Sequence, residues 1–149
     1  MNNERTYAFT AAGLRVVLAT ILLAHGTQKA FGWFGGFGWE GTMGFFTNTL
    51  GVPYILGALV IIGETLGALM LLAGVLTRIS AVAAILIMVG AIVLVHLPNG
   101  FYMNWYGSQA GEGYEMHLAV IAMAGVLVIH GPGKWSLDHV IRHRFISGK

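Results

Sequence analysis

Residues 53–74 read PYILGALVIIGETLGALMLLAG, and Glu64 is the one charged side chain in this run. A helix needs about 20 mostly apolar residues to cross a bilayer, so the run predicts a transmembrane helix. Three further segments of the same kind lie at about 9–29, 79–97 and 114–131. The sequence therefore predicts an all-α membrane protein, a bundle of four transmembrane helices.

The composition of the whole chain agrees with this class. Of the 149 residues, 56% are hydrophobic and 9% are charged, whereas a soluble domain carries roughly 25% charged residues. We therefore expect one lipid-embedded domain over residues 1–149. The net charge of +2 is too small and too dispersed for a nucleic-acid-binding surface. The chain has no cysteine, which excludes disulfides, iron–sulfur clusters and thiol redox chemistry.

The distribution of lysine and arginine predicts the orientation. The two loops at about 30–52 and 98–113 contain neither residue, while Arg5 and Arg78 lie at the opposite ends of the predicted helices. The segment 134–149 carries four more basic residues among apolar ones and reads as an amphipathic tail on the inner membrane surface. Because cytoplasmic loops are enriched in basic residues, both termini are expected in the cytoplasm.

Ionisable residues inside the predicted helices are the candidates for function, since each is costly in hydrocarbon unless paired or wet. Arg15, His25 and Lys29 recur with Leu18 and Leu22 at a 3-4-3-4 spacing, which places them on one face of the first helix. That face is expected to point into the bundle. Counting residues from the inner helix ends places Arg15 at a depth where it could pair with Glu64. The pair would be either a structural contact or part of a site with a functional carboxylate.

More polar side chains gather near the outer ends of the helices. His96 ends the third predicted helix, and Glu115 and His117 open the fourth, where at most one of the two points squarely inward. We expect His25, Lys29 and Glu115 to line a cavity that opens outward, with Glu64 as its floor. Trp33 or Trp39 of the first outer loop would lie near the mouth. The aromatic loops fit equally well a simple interfacial belt.

Metal-binding patterns are poor in this sequence. No His-x-x-x-His and no Glu-x-x-His occurs, and we expect no metal site. A b-type haem between His25 and His96 or His117 is conceivable in a four-helix bundle. We favour haem less, because one histidine per helix is a common pattern.

The order and spacing of several short motifs resemble the DoxX family of small four-helix membrane proteins. These motifs are Leu14-Arg15, His25-Gly26-x-x-Lys29, Glu64-x-x-Gly67, Gly74-x-x-Thr77-Arg78, Gly113-Tyr114-Glu115 and Gly131-Pro132-Gly133-x-x-Ser136-Leu137-Asp138. The resemblance implies a location in a bacterial or archaeal cytoplasmic membrane and a role in a redox or oxidative-stress complex. The family takes its name from a subunit of a thiosulfate:quinone oxidoreductase, so quinone is the cofactor that the resemblance favours.

Three functions remain open at the level of sequence. The first is a membrane redox component that binds a quinone or similar lipophilic molecule and works as a subunit of a quinone-linked oxidoreductase complex. The second is a non-enzymatic scaffold for a partner enzyme, and the third is a small transporter; a homo-oligomer is compatible with each. For the first, the candidate catalytic residues are Glu64, Arg15 and Glu115. The candidate ligand-binding residues are His25, Lys29, His96, His117, Trp33 and Trp39.

Overall fold

The computed structural model describes residues 3–145, and helices form all the regular structure in this range. The helices are α1 (Asn3–Phe31), α2 (Gly38–Gly44), α3 (Tyr54–Ala73), α4 (Thr77–Ala91), α5 (Glu115–His130) and α6 (Leu137–Phe145). A π-helical turn at Phe45–Thr49 extends α2, and another at Ile92–His96 extends α4. Short 3₁₀ turns follow at Trp33–Gly35 and Leu97–Asn99.

Three helices in the described range are long and apolar enough to cross a membrane. They are Glu4–Phe31 of α1 with 28 residues, α3 with 20 residues, and α4 with its extension to Asn99, which has 23 residues. The fourth predicted span forms α5, which has only 16 residues. At 1.5 Å per residue it is about 24 Å long, shorter than the hydrocarbon core of about 30 Å.

The bundle is held together by apolar side chains and small residues. Helix α1 packs mainly against α3, and α4 against α5, while α1 and α5 meet along a smaller surface. Fully buried leucines alternate with alanines that let the helix backbones approach closely. The central residues are Leu18, Leu22, Ala68, Leu71, Ala81, Ala84, Val120, Ala124 and Leu127.

Helix α1 begins at Asn3, well before the predicted residue 9. Its first turns are stabilised by contacts with the segment that follows α5. The Tyr7 hydroxyl donates a hydrogen bond to the Gly131 carbonyl at 3.1 Å, and Ala8 and Ala11 are buried. These contacts are tertiary, so hydropathy along the sequence could not reveal them.

The amphipathic tail forms α6, which is tied to the turn between α3 and α4. Both carboxylate oxygens of Asp138 accept hydrogen bonds from backbone N–H groups, those of Leu76 and Thr77, at 2.8 and 2.9 Å. The Asp138 N–H in turn donates to the Gly74 carbonyl at 2.8 Å. Residues 146–149 of the predicted tail lie outside the described residues.

The two ends of the bundle are called outer and inner, following the predicted orientation. The outer end is where α1 finishes, α3 begins and α5 begins. The inner end is where α1 begins, α3 turns into α4 and α5 finishes.

Candidate functional site

An ion pair joins α1 to α3 at the outer end. The Lys29 Nζ lies 2.6 Å from Oε2 of Glu64. The Glu64 side chain is 4% exposed and the Lys29 side chain 26%. Lys29 is in the last turn of α1 while Glu64 is in the middle of α3. Because helical side chains lean toward the helix N-terminus, Lys29 reaches back into the bundle and meets the carboxylate there.

Gly26 allows the two helices to approach closely enough for this pair. A Cβ atom built on Gly26 would lie 2.8 Å from the backbone carbon of Glu64 and 2.7 Å from the Thr65 hydroxyl oxygen. No side chain fits in that space without moving α1 away from α3. The missing side chain at Gly26 therefore positions Lys29 one turn further along α1.

Two histidines lie together where α4 ends and α5 begins. The ring centroids of His96 and His117 are 4.1 Å apart. The Nδ1 of His96 lies 2.8 Å from the Glu112 carbonyl oxygen; since a carbonyl only accepts, Nδ1 of His96 carries a proton. The Nδ1 of His117 is buried and has no hydrogen-bond partner in the described part of the chain.

These histidines belong to the same polar cluster as the ion pair. His117 is within electrostatic reach of Lys29 and His25, and His25 is within reach of Lys29, Glu64 and His96. His25 itself is exposed. We call His25, Lys29, Glu64, His96 and His117 the outer cluster. It draws one or more side chains from α1, α3, α5 and the extension of α4.

The predicted pair between Arg15 and Glu64 is wrong. Arg15 is 4% exposed and donates from Nη2 to the Trp135 carbonyl oxygen at the inner end. Its Nη1 lies against Gly74, and neither Nε nor Nη1 has a partner among the described residues. The error came from comparing backbone depths alone. The Arg15 side chain leans toward the start of α1, away from Glu64.

The structure does not draw Glu115 into a contact with the outer cluster. Its side chain is half-buried, and its backbone N–H donates to the Phe101 carbonyl at 2.9 Å. The neighbouring Glu112 is the more involved residue: its carbonyl accepts from His96 and from Asn99, and its carboxylate accepts from the Asn104 N–H at 2.6 Å. Sequence reasoning missed Glu112, because a carbonyl oxygen that orients a histidine leaves no signature in the side-chain pattern.

Comparisons with known proteins identify the family. The DoxX family model matches residues 10–97, more than half of the chain. The chain belongs to the DoxX family. This confirms the resemblance found in the sequence, although Glu115, His117 and the motif at 131–138 lie beyond the matched residues. Searches of curated proteins and of solved structures give no match.

The first outer loop of this DoxX protein folds back over the outer ends of α1 and α3. The Gly36 backbone packs against Gln28, and Met43 and Phe46 pack against Gly57 at the start of α3. Trp39 is half-buried and its Nε1 donates to the Tyr54 hydroxyl at 3.3 Å. Trp33 is 57% exposed. A place for either tryptophan at the mouth of a cavity stays a prediction.

The second outer loop is held by its own polar contacts. Asn104 and Gln109 exchange two hydrogen bonds, at 3.1 and 3.0 Å. Tyr102, Trp105 and Tyr106 point outward, with exposures of 68%, 72% and 94%. The loop therefore contacts His96 through the Glu112 carbonyl and presents its aromatic rings to the surroundings.

The outer cluster of the DoxX protein is suited to hydrogen bonding. Lys29 and the protonated ring nitrogens of the histidines can donate hydrogen bonds, and the Glu64 carboxylate can accept them. Within residues 3–145, no group of three or more histidine, aspartate and glutamate side chains is placed to hold a metal ion.

Proposed function

We propose that this DoxX protein binds a quinone or a similar lipophilic small molecule at its outer cluster and acts as a membrane component of a redox system. One observation carries the proposal: Lys29, which is paired with the buried Glu64 carboxylate, is within electrostatic reach of His117, whose ring lies 4.1 Å from that of His96 and whose buried Nδ1 has no partner in the described residues. Buried polar groups are normally satisfied, so an exception at a polar cluster favours a ligand that supplies the missing partner.

The chemistry of a quinone headgroup matches these groups. Each quinone carbonyl accepts hydrogen bonds, and reduction to the quinol consumes two electrons and two protons. In the proposed complex, His117 donates from Nδ1 to one carbonyl, and Lys29 and His25 would supply further hydrogen-bond donors. The apolar remainder of the ligand would stay in the lipid or against the exposed apolar faces of the helices.

The electrons in this proposal come from a partner. The chain has no cysteine, so its own side chains offer no thiol couple and no ligands for an iron–sulfur cluster. The protein would bind and position the quinone while an associated oxidoreductase supplies or removes the electrons. Membrane lipid surrounds the apolar helices, and a second copy of the chain is compatible with their exposed faces.

We also propose that α5 is a fourth span, which places both termini in the cytoplasm of a bacterial or archaeal cell. Helix α5 packs along α4, and α4 is long enough to cross the membrane. Local bilayer thinning accommodates a span that is a few residues short at modest cost. Reporter fusions after Gly51 and after Gly107 should then read outside, and fusions after Thr77 and at the C-terminus inside. A cytoplasmic readout after Gly107 contradicts the fourth span.

Equilibrium binding of a short-chain quinone to the detergent-purified protein tests the proposed ligand. Ubiquinone-1 should quench tryptophan fluorescence saturably, because four tryptophans are present and Trp33 and Trp39 lie in the loop that folds over the outer end. His117→Ala removes one donor and should raise the Kd about threefold to tenfold. His143→Ala, an exposed histidine in α6, is the matched control and should leave the Kd unchanged.

Three results decide the experiment. Unsaturable quenching, or equal Kd values for wild type and His117→Ala, would reject quinone binding at the outer cluster. Equal weakening by His143→Ala would show that the effect is not specific to that end of the protein. His25→Ala supplies an independent variant on another helix, and its exposed position makes a folding defect less of a concern.

A scaffold role is the second candidate, and the outer loops favour it. Phe34, Phe37, Trp105 and Tyr106 are exposed at 76%, 86%, 72% and 94%, which is an unusual density of aromatic surface for loops. A partner enzyme could dock there without any ligand in the outer cluster. Transport has less support, because fully buried Leu18, Leu71 and Leu127 fill the bundle between its two ends.

A further inference from the structure

A pocket of about 590 Å³ lies at the inner end of the bundle, away from the outer cluster. It is bounded by the start of α1, the turn between α3 and α4, the end of α5, and α6. Its charged lining residues are Arg78, Lys134, Arg142, Glu4 and Asp138. The three basic residues of the pocket come from the start of α4, the segment after α5, and α6.

The two acidic residues of the pocket are already engaged. Glu4 pairs with Lys134 at 2.6 Å, and both oxygens of Asp138 accept backbone hydrogen bonds at the start of α4. The arginines are less occupied. Arg78 makes one long hydrogen bond, to the Ile129 carbonyl at 3.3 Å, and Arg142 makes none with the described residues. Two guanidinium groups thus remain for an anion.

An apolar groove of about 240 Å³ continues from this pocket. Tyr7 and His130 line both. The groove runs between α1 and α5 past Thr10, Leu14 and Val126, toward the middle of the bundle. It exists because α1 and α5 pack over a smaller surface than the other neighbouring helices. A cationic pocket and an apolar groove with common walls form one amphipathic site.

We propose that this site binds one anionic membrane phospholipid, with its phosphate against Arg78 and Arg142 and one acyl chain in the groove between α1 and α5. Guanidinium groups bind phosphate oxygens in pairs of hydrogen bonds, and basic pockets between membrane helices bind anionic headgroups. The groove identifies the source of the phosphate. A free phosphate ion would leave the apolar part of the site unfilled, whereas a lipid fills both parts.

Native mass spectrometry of the detergent-purified full chain tests the site. The probes are palmitoyl-oleoyl phosphatidylglycerol and the phosphatidylcholine with identical acyl chains. We expect one phosphatidylglycerol to be retained in preference to phosphatidylcholine. The double variant Arg78→Gln/Arg142→Gln should lower its retention about tenfold or more. The charge-matched control Arg5→Gln/Arg144→Gln changes two exposed arginines outside the pocket and should leave retention unchanged.

A second pair of variants examines the acyl groove. Thr10→Trp places a large ring in the groove and should displace the lipid, while Val16→Trp, on the same helix but outside the groove, should not. If the double variant does not fold, the single variant Arg142→Gln replaces it, because Arg142 is exposed on α6. This variant should still lower the retention of phosphatidylglycerol severalfold.

Each opposing result overturns the proposal. Equal loss in the charge-matched control would show a general surface attraction, and equal retention of phosphatidylcholine would remove the role of the arginines. Unchanged retention in Thr10→Trp would show that no acyl chain occupies the groove. Competition by millimolar inorganic phosphate as effective as that by phosphatidylglycerol would mark the pocket as a site for a free anion.

Discussion

Helix α1 carries two cations on one face, and the structure satisfies them in different ways. Lys29, at the outer end, contacts the Glu64 carboxylate at 2.6 Å. Arg15, about 21 Å away along the helix, contacts only a carbonyl oxygen, that of Trp135, and keeps two buried N–H-bearing nitrogens without a partner in the described residues. Lys29 is paired directly with a carboxylate. Arg15 is held by a backbone carbonyl and by packing against Gly74, and the Asp138 carboxylate is within electrostatic reach without a hydrogen bond to it.

The difference shows what a helical periodicity does and does not determine. The 3-4-3-4 spacing places both cations on the face that Leu18 and Leu22 bury in the bundle, since residues at that spacing stay within one side of a helix. The burial is not uniform along this face, because His25 is exposed. The partner of each cation depends on the direction in which its side chain leans along the helix and on which groups lie near its charged end. Lys29 leans toward the middle of the membrane and Glu64, while Arg15 leans toward the inner surface and α6. We expect the two residues to differ in how much they contribute to stability.

Removal of the lysine should have the largest effect. Lys29→Met leaves the buried Glu64 carboxylate without its partner, and breaking a buried pair in this way costs roughly 3–5 kcal/mol. Because Lys29 is 26% exposed, we expect the lower part of that range, about 3 kcal/mol. Denaturation of the purified protein in mixed micelles with increasing SDS measures this loss of unfolding free energy.

A double-mutant cycle separates the pair from other effects of the substitution. Glu64→Gln keeps a hydrogen-bond acceptor for Lys29 and should cost less than Lys29→Met. The variant that combines Lys29→Met with Glu64→Gln has no buried charge left and should be more stable than Lys29→Met alone. If the combined variant loses the sum of both single costs, Lys29 and Glu64 do not interact and the ion pair is not a feature of the protein in micelles.

The sequence predicted the membrane class and the family, and it singled out the ionisable residues of the outer cluster, whose role as a site stays a prediction. Long apolar runs and scarce charge leave few alternatives to lipid as the solvent, and ionisable residues in such runs are rare enough to mark a site. The contacts that Lys29 and His96 make could not be predicted from the sequence. They depend on the close approach of α1 to α3 at Gly26 and on the carbonyl oxygen of Glu112, and neither feature shows in the pattern of side chains. The basic pocket was equally hidden, since Arg78 is more than 50 residues away in sequence from Lys134 and Arg142.

Substitution of Gly26, on the same helix, should cause the next largest loss of unfolding free energy. Gly26→Ala adds a Cβ that would lie 2.8 Å from the Glu64 backbone, so α1 must move away from α3 and carry Lys29 with it. Overpacking of this kind costs typically 1–3 kcal/mol, and we expect about 2 kcal/mol. The same unfolding titration measures it, and weakened quinone binding should accompany it if the outer cluster is the site.

Gly13→Ala is the matched control, because it makes the same change on the same helix. A Cβ there meets no atom within 4 Å, so the alanine should leave the protein unchanged or stabilise it by up to about 1 kcal/mol through its higher helix propensity. Equal destabilisation by the two substitutions would mean that close contact at Gly26 does not position α1 against α3.

The smallest expected effect is that of removing the arginine, and it bears most directly on the comparison. Arg15→Met keeps much of the side-chain volume, forfeits the hydrogen bond to the Trp135 carbonyl, and removes two buried nitrogens that lack a partner among the described residues. Losing one hydrogen bond costs about 1 kcal/mol, and removing the desolvated charge offsets part of that cost. Asp138 keeps both of its backbone hydrogen bonds in the variant.

For Arg15→Met we therefore expect a net loss of unfolding free energy below about 1 kcal/mol, clearly smaller than that of Lys29→Met. Val16→Met, at the exposed neighbouring position, is the control. A loss as large as that of Lys29→Met would mean that Asp138, which is within electrostatic reach of Arg15, stabilises it as strongly as Glu64 stabilises Lys29, and the contrast between the two cations of α1 would then disappear.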